Sequence, residues 1–291
     1  MINMEELTGK HVDYLNKVIN NKQKKRRTVL EKIKPYITSR YAKYQSKKST
    51  LEDINASEIP LDVPSDKINK KYSLIHMYDS QEQYAREYLK EMKELLKEGI
   101  ICPYCGLTES KQIDHFLPKS KFPEFSLYLP NMIVICSDCN KSKDNIAIDT
   151  TTNTRYVLNP YHDLDIYKYD FIECEIIPPY EASKFKIKIC DDLTSTQKML
   201  CLEHIKTVEI EKKIITLWRN YFDELSRRLK KNYKKNKNKY TDKEMMENFK
   251  EIIIDEIDTK NIEKNIIHKS LFLGCANNQA LLKYWLTIFK D

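Results

Sequence analysis

Two cysteine pairs with C-x2-C spacing lie in the middle of the chain. They are Cys102 with Cys105 in CPYC, and Cys136 with Cys139 in CSDC. The thiolates of one pair reach a single metal ion from a tight turn, and two pairs complete a tetrahedral four-sulfur site. The spacing therefore predicts one shared Zn²⁺ ion. Because four thiolates leave no open coordination position, we expect this zinc to be structural rather than catalytic.

A second group of polar residues accompanies the cysteines. Asp114 and His115 are adjacent between the pairs, and Asn140 follows the last cysteine directly. Carboxylate and amide oxygens suit a hard divalent cation such as Mg²⁺ or Mn²⁺, with water and a phosphate as further ligands. An imidazole titrates near neutral pH and suits a general base. The alternative is that Asp114 and His115 are merely exposed polar residues at the end of a strand.

The order of these residues resembles the zinc-bearing branch of the HNH, or ββα-metal, endonucleases. In that branch a C-x2-C pair precedes Asp-His, a middle Asn and a C-x2-C-N-x2-K run. The matching residues here are Cys102, Cys105, Asp114, His115, Asn131, Cys136, Cys139, Asn140 and Lys143. The third letter of the family name is here an asparagine, a variant that occurs in zinc-bearing members.

The resemblance implies a role for each matching residue. Asp114 and Asn140 would ligate the catalytic Mg²⁺ or Mn²⁺, and His115 would deprotonate the water that attacks a phosphodiester, with DNA as the expected substrate. Asn131 would orient His115 through its side chain or backbone, and Lys143 would contact phosphate. The cation would stabilise charge on the scissile phosphate and on the departing oxygen. Asn131 as a loop residue and Lys143 as a solvated helix residue are the alternatives.

The sequence around the motif also resembles a narrower group of HNH proteins. DHFLPKSKFPEF together with LNPYHD (residues 114–125 and 158–163) is similar to the HNH components of Septu-type and retron-associated antiphage systems. In those systems the nuclease works with an AAA- or ABC-like ATPase, so the resemblance implies such a partner. His162 and Asp163 could bind a second metal ion or belong to a turn. The alternative from another class is a non-catalytic, zinc-dependent nucleic-acid-binding or scaffold subunit.

Hydrophobic periodicity predicts the elements that position these residues. We expect a helix over residues 10–47, kinked or split at Pro35, and another that starts at a capping box at Ser80 and ends at Gly99. Two short strands are expected around residues 112–115 and 132–135. A small hairpin or sheet is expected within residues 154–190, where β-branched and aromatic residues abound, followed by helices from residue 194 onward.

These elements predict an α+β fold that is predominantly α-helical, with a central ββα-metal, zinc-bearing nuclease core and a small β segment after it. The predicted domains are an N-terminal helical region (1–99), the core (100–150), the β segment (151–192) and a C-terminal helical region (193–291). The chain has 291 residues, and 41% of them are hydrophobic, enough for a sizeable core. Without a long apolar run or a signal-peptide pattern, we expect a cytoplasmic protein with reduced thiols.

The net charge of +7 is unevenly spread. Ten lysines and arginines but three acidic residues fall between Arg219 and Lys243. Such clusters attract polyanions by releasing counterions, and a solvated helix face is the alternative. The four remaining cysteines have no ligand spacing, and we expect them to be small buried hydrophobic residues.

Overall fold

The computed structural model describes residues 11–59, 69–80, 82–259 and 266–290. The chain divides into two compact units, residues 1–164 and 165–291. Helices and short antiparallel strand pairs make up both units, which confirms the predicted α+β class. The first unit contains both the predicted N-terminal helical region and the predicted core. No helix in the described part of the chain is long and apolar enough to cross a lipid bilayer.

The first unit begins with helices α1 (His11–Asn20) and α2 (Lys24–Ser46). The predicted helix over residues 10–47 is therefore interrupted, but at residues 21–23 rather than at Pro35. Pro35 lies inside α2. A proline removes one helical hydrogen bond, and the buried face of α2, with Leu30 and Ile37 on either side of Pro35, keeps the helix continuous.

Three further helices follow in this unit, α3 (Lys70–Asp79), α4 (Gln83–Tyr88) and α5 (Lys90–Lys97). Helix α3 was not predicted. Its first turn is capped by the Asn69 side chain, which accepts a hydrogen bond from the Tyr72 N–H at 2.9 Å. The prediction of a helix start at Ser80 is wrong, because Ser80 ends α3 instead. Gly99 follows α5 with a φ of +67°, as expected for a helix stop.

The cysteine region has a strand–strand–helix order. Strands β1 (Gln112–His115) and β2 (Met132–Ile135) have the predicted bounds and pair antiparallel, and α6 (Ser137–Lys143) follows directly. His115 pairs with Met132 at the end of the ladder where the chain leaves β1. Residues 116–131, here named the β1–β2 connection, contain two 3-10 turns. Strands β3 (Ile148–Asp149) and β4 (Thr154–Arg155) form a second small pair.

The N-terminal helices hold the β1–β2 connection by its main chain. The Tyr41 hydroxyl donates to the Leu127 carbonyl and the Tyr44 hydroxyl donates to the Pro130 carbonyl, both at 2.9 Å. All of these side chains are buried. The β1–β2 connection is thus fixed from the side of α2 and not only from its own strands.

A buried ion pair adds to this support. The Nε atom of Arg40 on α2 lies 2.8 Å from the Glu124 carboxylate in the β1–β2 connection. Arg40 also donates to the Asn55 carbonyl at 2.8 Å. Glu124 is fully buried, and removing one partner of such a pair typically costs about 3–5 kcal/mol. The pair therefore ties the position of the connection to the stability of the first unit.

The second unit packs helices on a β-hairpin. Strands β5 (Ile172–Ile177) and β6 (Lys184–Ile189) are antiparallel, which confirms the expected hairpin. The helices of this region are α7 (Leu164–Tyr167), which begins at the boundary between the units, and α8 (Ser195–Thr207), α9 (Glu211–Asn236), α10 (Asp242–Thr259), α11 (Ile266–Ala276) and α12 (Gln279–Lys290). A Cβ at Gly274 would lie 2.5 Å from the Cys174 carbonyl oxygen, so only glycine lets α11 approach β5 this closely. Cys174, Cys190, Cys201 and Cys275 are buried and unbridged, as expected.

Candidate active site

The four paired cysteines converge on one point. Their sulfur atoms all lie within 4.8 Å of one another, and all four residues are buried. The sulfurs of Cys105 and Cys136, one from each pair, are 3.9 Å apart. A zinc–sulfur bond of about 2.3 Å in a tetrahedron places the sulfurs about 3.8 Å apart. The donor set and its spacing are therefore compatible with a zinc ion.

Local backbone geometry explains how each pair is shaped. The Gly106 N–H donates to the Cys102 carbonyl at 2.8 Å, and Gly106 has a φ of +64°, a conformation that glycine adopts without strain. In the second pair, the Cys136 sulfur caps α6 by accepting from the Cys139 N–H at 3.4 Å. A metal at this point would fasten the start of α6 to the turn that precedes β1.

Asp114 is buried at the end of β1, opposite a buried lysine. The Lys143 ammonium lies 2.8 Å from the Asp114 carboxylate and also donates to the His115 carbonyl at 2.9 Å. Burial raises the pKa of Asp114, and the ammonium of Lys143 opposes that rise. Lys143 is fully buried, so a phosphate contact would require its ammonium to leave Asp114. The predicted phosphate contact of Lys143 stays a prediction.

The His115 ring is oriented by a main-chain carbonyl. Its Nε2 donates to the Ser126 carbonyl at 2.9 Å, which leaves Nδ1 as the basic nitrogen. Burial lowers the pKa of His115 to about 4, so the imidazole is neutral at neutral pH, as a general base must be. Sequence reasoning missed Ser126 because a backbone carbonyl carries no residue-type signal.

Asn131 acts on the β1–β2 connection rather than directly on His115. Its Oδ1 accepts from the Leu117 N–H at 2.8 Å, and its Nδ2 donates to the Leu117 carbonyl at 3.0 Å and to the Phe125 carbonyl at 3.5 Å. The Asn131 amide thus links Leu117, two residues after His115, to Phe125, the residue before Ser126. Orientation of His115 by Asn131 remains a prediction, and this geometry supports only an indirect form of it.

Asn140 is half-buried on the first turns of α6. Its Nδ2 donates to the Gln112 Oε1, which leaves the amide oxygen of Asn140 for another partner. Gln112 and Asp114 are two residues apart on β1 and share one face of the strand. Helix α6 therefore lies along this face, with Asn140 against Gln112 and Lys143 against Asp114.

Helix α3 contributes two residues that sequence reasoning missed. The Tyr78 ring meets the His115 ring edge-on, with centroids 4.6 Å apart and planes at 78°. The neighbouring Asp79 accepts from the Lys119 ammonium at 2.6 Å, which ties α3 to the β1–β2 connection. No motif marks these positions, and the helix that carries them was itself not predicted.

The LNPYHD segment forms a braced turn. Asp163 pairs with Arg155 at 2.8 Å and accepts from the Asn159 N–H at 2.6 Å. The His162 ring lies edge-on to Tyr44. Among the described residues, the four cysteines are the one group of three or more His, Cys, Asp or Glu side chains close enough to share a metal ion. The turn interpretation of this segment therefore fits better than a second metal site.

The Asp114 carboxylate on β1 and the amide oxygen of Asn140 on α6, whose Nδ2 is bonded to Gln112, are oxygen donors of the kind that a magnesium-type cation takes. In the described part of the chain, neither belongs to a group of three or more His, Cys, Asp or Glu side chains close enough to share a metal ion. Mg²⁺ is usually bound through one or two protein oxygens together with water and substrate phosphate. Such a cation would share Asp114 with the Lys143 ammonium.

Comparison with known proteins agrees with this geometry. The family model of the HNH endonucleases matches residues 102–145. We refer to this matched segment as the HNH domain. It contains both cysteine pairs, β1, the β1–β2 connection, β2 and α6.

The chain is also similar to protein ea31 of Escherichia phage lambda, with 38% identity over 86 residues. The matched residues are 28% of this chain and 27% of ea31, so the chain spans about a quarter of the length of this curated relative. No solved structure matches the chain. The HNH domain is therefore the part of the molecule for which the comparisons give a biochemical class.

Proposed function

We propose that this protein is a divalent-metal-dependent endonuclease that hydrolyses phosphodiester bonds of DNA at its HNH domain. The observation that carries the proposal is the placement of His115. The bond from its Nε2 to the Ser126 carbonyl leaves Nδ1 as the proton acceptor, and Asp114 is the residue just before His115 at the end of β1. A neutral, oriented imidazole next to an oxygen ligand for a cation is the arrangement that hydrolysis of a phosphodiester needs.

Each residue then has a defined task. His115 takes a proton from the attacking water at Nδ1, and the Ser126 carbonyl stabilises the charged ring that results by accepting from Nε2. Asp114 and the amide oxygen of Asn140 hold Mg²⁺ or Mn²⁺, which when bound stabilises negative charge on the phosphate and the departing oxygen. Lys143 holds the Asp114 carboxylate in place from the opposite side.

The structural zinc has an indirect task in this proposal. Asn140 is the residue after Cys139, so its position depends on the geometry of the cysteine cluster. Because the cluster also includes Cys102 and Cys105 from the turn before β1, one metal ion fixes α6 relative to β1. Zinc therefore sets the distance between the two proposed cation ligands, Asp114 and Asn140, without touching the substrate.

Nicking of supercoiled plasmid with Mg²⁺ or Mn²⁺ tests the proposal. We expect the wild-type protein to nick DNA and His115→Ala to lose at least about a hundredfold in rate, the lower range for a general base. His76→Ala, on α3 outside the site, is the matched control and should remain active. Equal cleavage by wild type and His115→Ala would overturn the mechanism.

The rival reading is a non-catalytic, zinc-dependent nucleic-acid-binding or scaffold subunit. It predicts that wild type and His115→Ala bind zinc and nucleic acid alike and that neither cleaves with any divalent cation. The position of His115 within the segment that matches the HNH endonuclease family favours catalysis.

The biological role of the nuclease is a second, more specific proposal, and it rests only on the resemblance of the sequence around the motif. We propose a nuclease effector of prokaryotic antiphage defence that works with an AAA- or ABC-type ATPase. Similarity to a phage protein gives this setting no support. In cells challenged with phage, the proposal expects protection by the wild type with its ATPase and none by His115→Ala. Full protection by His115→Ala would contradict it.

A further inference from the structure

A strongly basic surface lies at one end of the second unit, outside the HNH domain. Residues 226–241, here named the basic tip, comprise the end of α9 and the turn into α10. They contain no Asp or Glu and eight basic residues: Arg227, Arg228, Lys230, Lys231, Lys234, Lys235, Lys237 and Lys239. All eight side chains are exposed.

The hydrophobic core does not account for the length of α9. Leu229 is the last buried residue of this helix, and the next buried residue is Met245 in α10. Between them the helix continues to Asn236, followed by the turn. Beyond Leu229 the basic tip packs on the unit through the half-buried Tyr233, whose ring lies against Phe289, so apolar burial contributes less there than along the rest of α9.

Most of the positive charge of the basic tip is not neutralised by the protein. Arg228 pairs with Glu256 on α10. The other seven basic residues make no ion pair within the described part of the chain. The first acids of α10 have their own partners, since Asp242 pairs with Lys290, and Glu244 accepts from Thr241. Glu247 and Glu251 are exposed further along α10.

The spacing of these residues also concentrates the charge. Arg227 with Lys231, Lys230 with Lys234, and Lys231 with Lys235 are four residues apart, so like charges are neighbours on the helix surface and repel one another. The partial negative charge at the C-terminal end of α9 offsets part of this repulsion. A polyanion would relieve the remainder and release counterions as it binds.

We propose that the basic tip binds the phosphate backbone of the nucleic acid that the HNH domain cuts, a proposal that rests on the proposed function. The contacts are with phosphates, so they give affinity without base specificity. An anionic membrane surface fits less well, because Tyr240 is the exposed large hydrophobic residue of the basic tip and insertion into lipid needs an apolar face.

Salt dependence of binding to a short DNA duplex, in buffer without added divalent cation, is the direct test. The variant replaces Lys230, Lys231, Lys234 and Lys235 with glutamine. Each phosphate contact contributes about 0.9 to the slope of log affinity against log salt on B-form DNA. We expect the slope to become shallower by about 2–4, and the affinity at physiological salt to fall by about tenfold or more.

A matched control removes the same charge elsewhere in the second unit. Lys184, Lys186, Lys188 and Lys206 are also exposed, and all four become glutamine. Lys186 and Lys188 on β6 lie directly across the hairpin from Glu175 and Glu173. Lys206 pairs with Glu203, so three of the four control lysines have acidic neighbours in the protein and the control should keep the wild-type slope. Thermal melting and zinc content verify that both variants are folded.

An unchanged slope in the basic-tip variant, or an equal loss in the control, would overturn the inference. Binding of the wild type to anionic lipid vesicles but not to the duplex would overturn it as well. Nicking at saturating DNA separates this inference from the proposed function. The basic-tip variant should keep the wild-type maximal rate, whereas cleavage by His115→Ala at the wild-type rate would refute the mechanism and leave the binding result standing.

Discussion

The Lys143 ammonium lies 2.8 Å from the Asp114 carboxylate, and both side chains are buried. Lys143→Met would leave a buried carboxylate without its partner, and such losses cost about 3–5 kcal/mol. We therefore predict a decrease of this order in the free energy of unfolding, measured by urea denaturation with zinc bound.

The double variant Asp114→Asn with Lys143→Met provides the control for this pair. It removes both charges, so it should lose less stability than the sum of the two single variants, with a coupling energy of about 1–3 kcal/mol. If Lys143 acts only as a phosphate contact, Lys143→Met will instead keep wild-type stability and raise KM for DNA.

Zinc binding should depend on the cysteine cluster and not on the buried cysteines elsewhere. Cys136→Ser removes one of four thiolates and also the sulfur that caps α6. We predict loss of zinc from the purified protein and loss of nicking, because Asn140 would no longer be held. The control Cys190→Ser, in the second unit, should retain zinc. Equal zinc content in the two variants would contradict the four-sulfur site.

Tyr78 should affect catalysis through the orientation of His115. Tyr78→Ala removes the ring that meets the imidazole edge-on, and we predict a fall in kcat of about tenfold with little change in KM, since small misplacements of a catalytic group are costly. Tyr78→Phe keeps the ring and should restore the rate. Tyr72→Ala, an exposed tyrosine on the same helix, is the control. A change confined to KM would assign Tyr78 to substrate binding instead.

Three histidines of the first unit, the buried His11 and His115 and the half-buried His162, predict instability in mild acid. Burial lowers the pKa of each of these three side chains from 6.5 to about 4. The unfolded chain therefore binds more protons between these values, so stability is full above about pH 6.5 and is lost as the pH falls towards 4. The loss should be on the order of 1–2 kcal/mol for each histidine, seen as a lower urea midpoint at pH 5 than at pH 7.5.

The variant His11→Phe tests the origin of this acid sensitivity. It cannot titrate and keeps an aromatic ring beside Tyr128. It should be less stable than the wild type at pH 7.5, because Tyr88 loses its partner, yet show a smaller change between the two pH values. An undiminished pH dependence would exclude His11 as a source.

Residue types and spacing were sufficient to predict the centre of the HNH domain. The spacing of the two cysteine pairs predicted that the four sulfur atoms converge. The residues between the pairs predicted the bounds of β1 and β2. The placement of Lys143 was within reach, because a residue three positions after Asn140 lies on the same face of α6. Its burial against Asp114 depends on tertiary packing that spacing alone does not give.

The surroundings of His115 were beyond sequence reasoning for identifiable reasons. Ser126 contributes a carbonyl, which every residue has. Tyr78 and Asp79 belong to α3, whose apolar residues show little helical periodicity, and Ser80 looks like a helix start although it ends one. The polar contacts that link distant parts of the chain, such as Tyr41 with Leu127, leave no local pattern.

The hydroxyls of Tyr41 and Tyr44 bind carbonyl oxygens of the β1–β2 connection, and these atoms are the same whatever side chain a position carries. Of residues 116–131 only Lys121 is exposed, so these two bonds hold the main chain of a connection that is otherwise buried or half-buried. A fragment cut at the ends of the family match, residues 102–145, would lack this scaffold. The smallest fragment expected to keep the HNH domain in this shape thus includes α2, which is far from the cysteines in sequence.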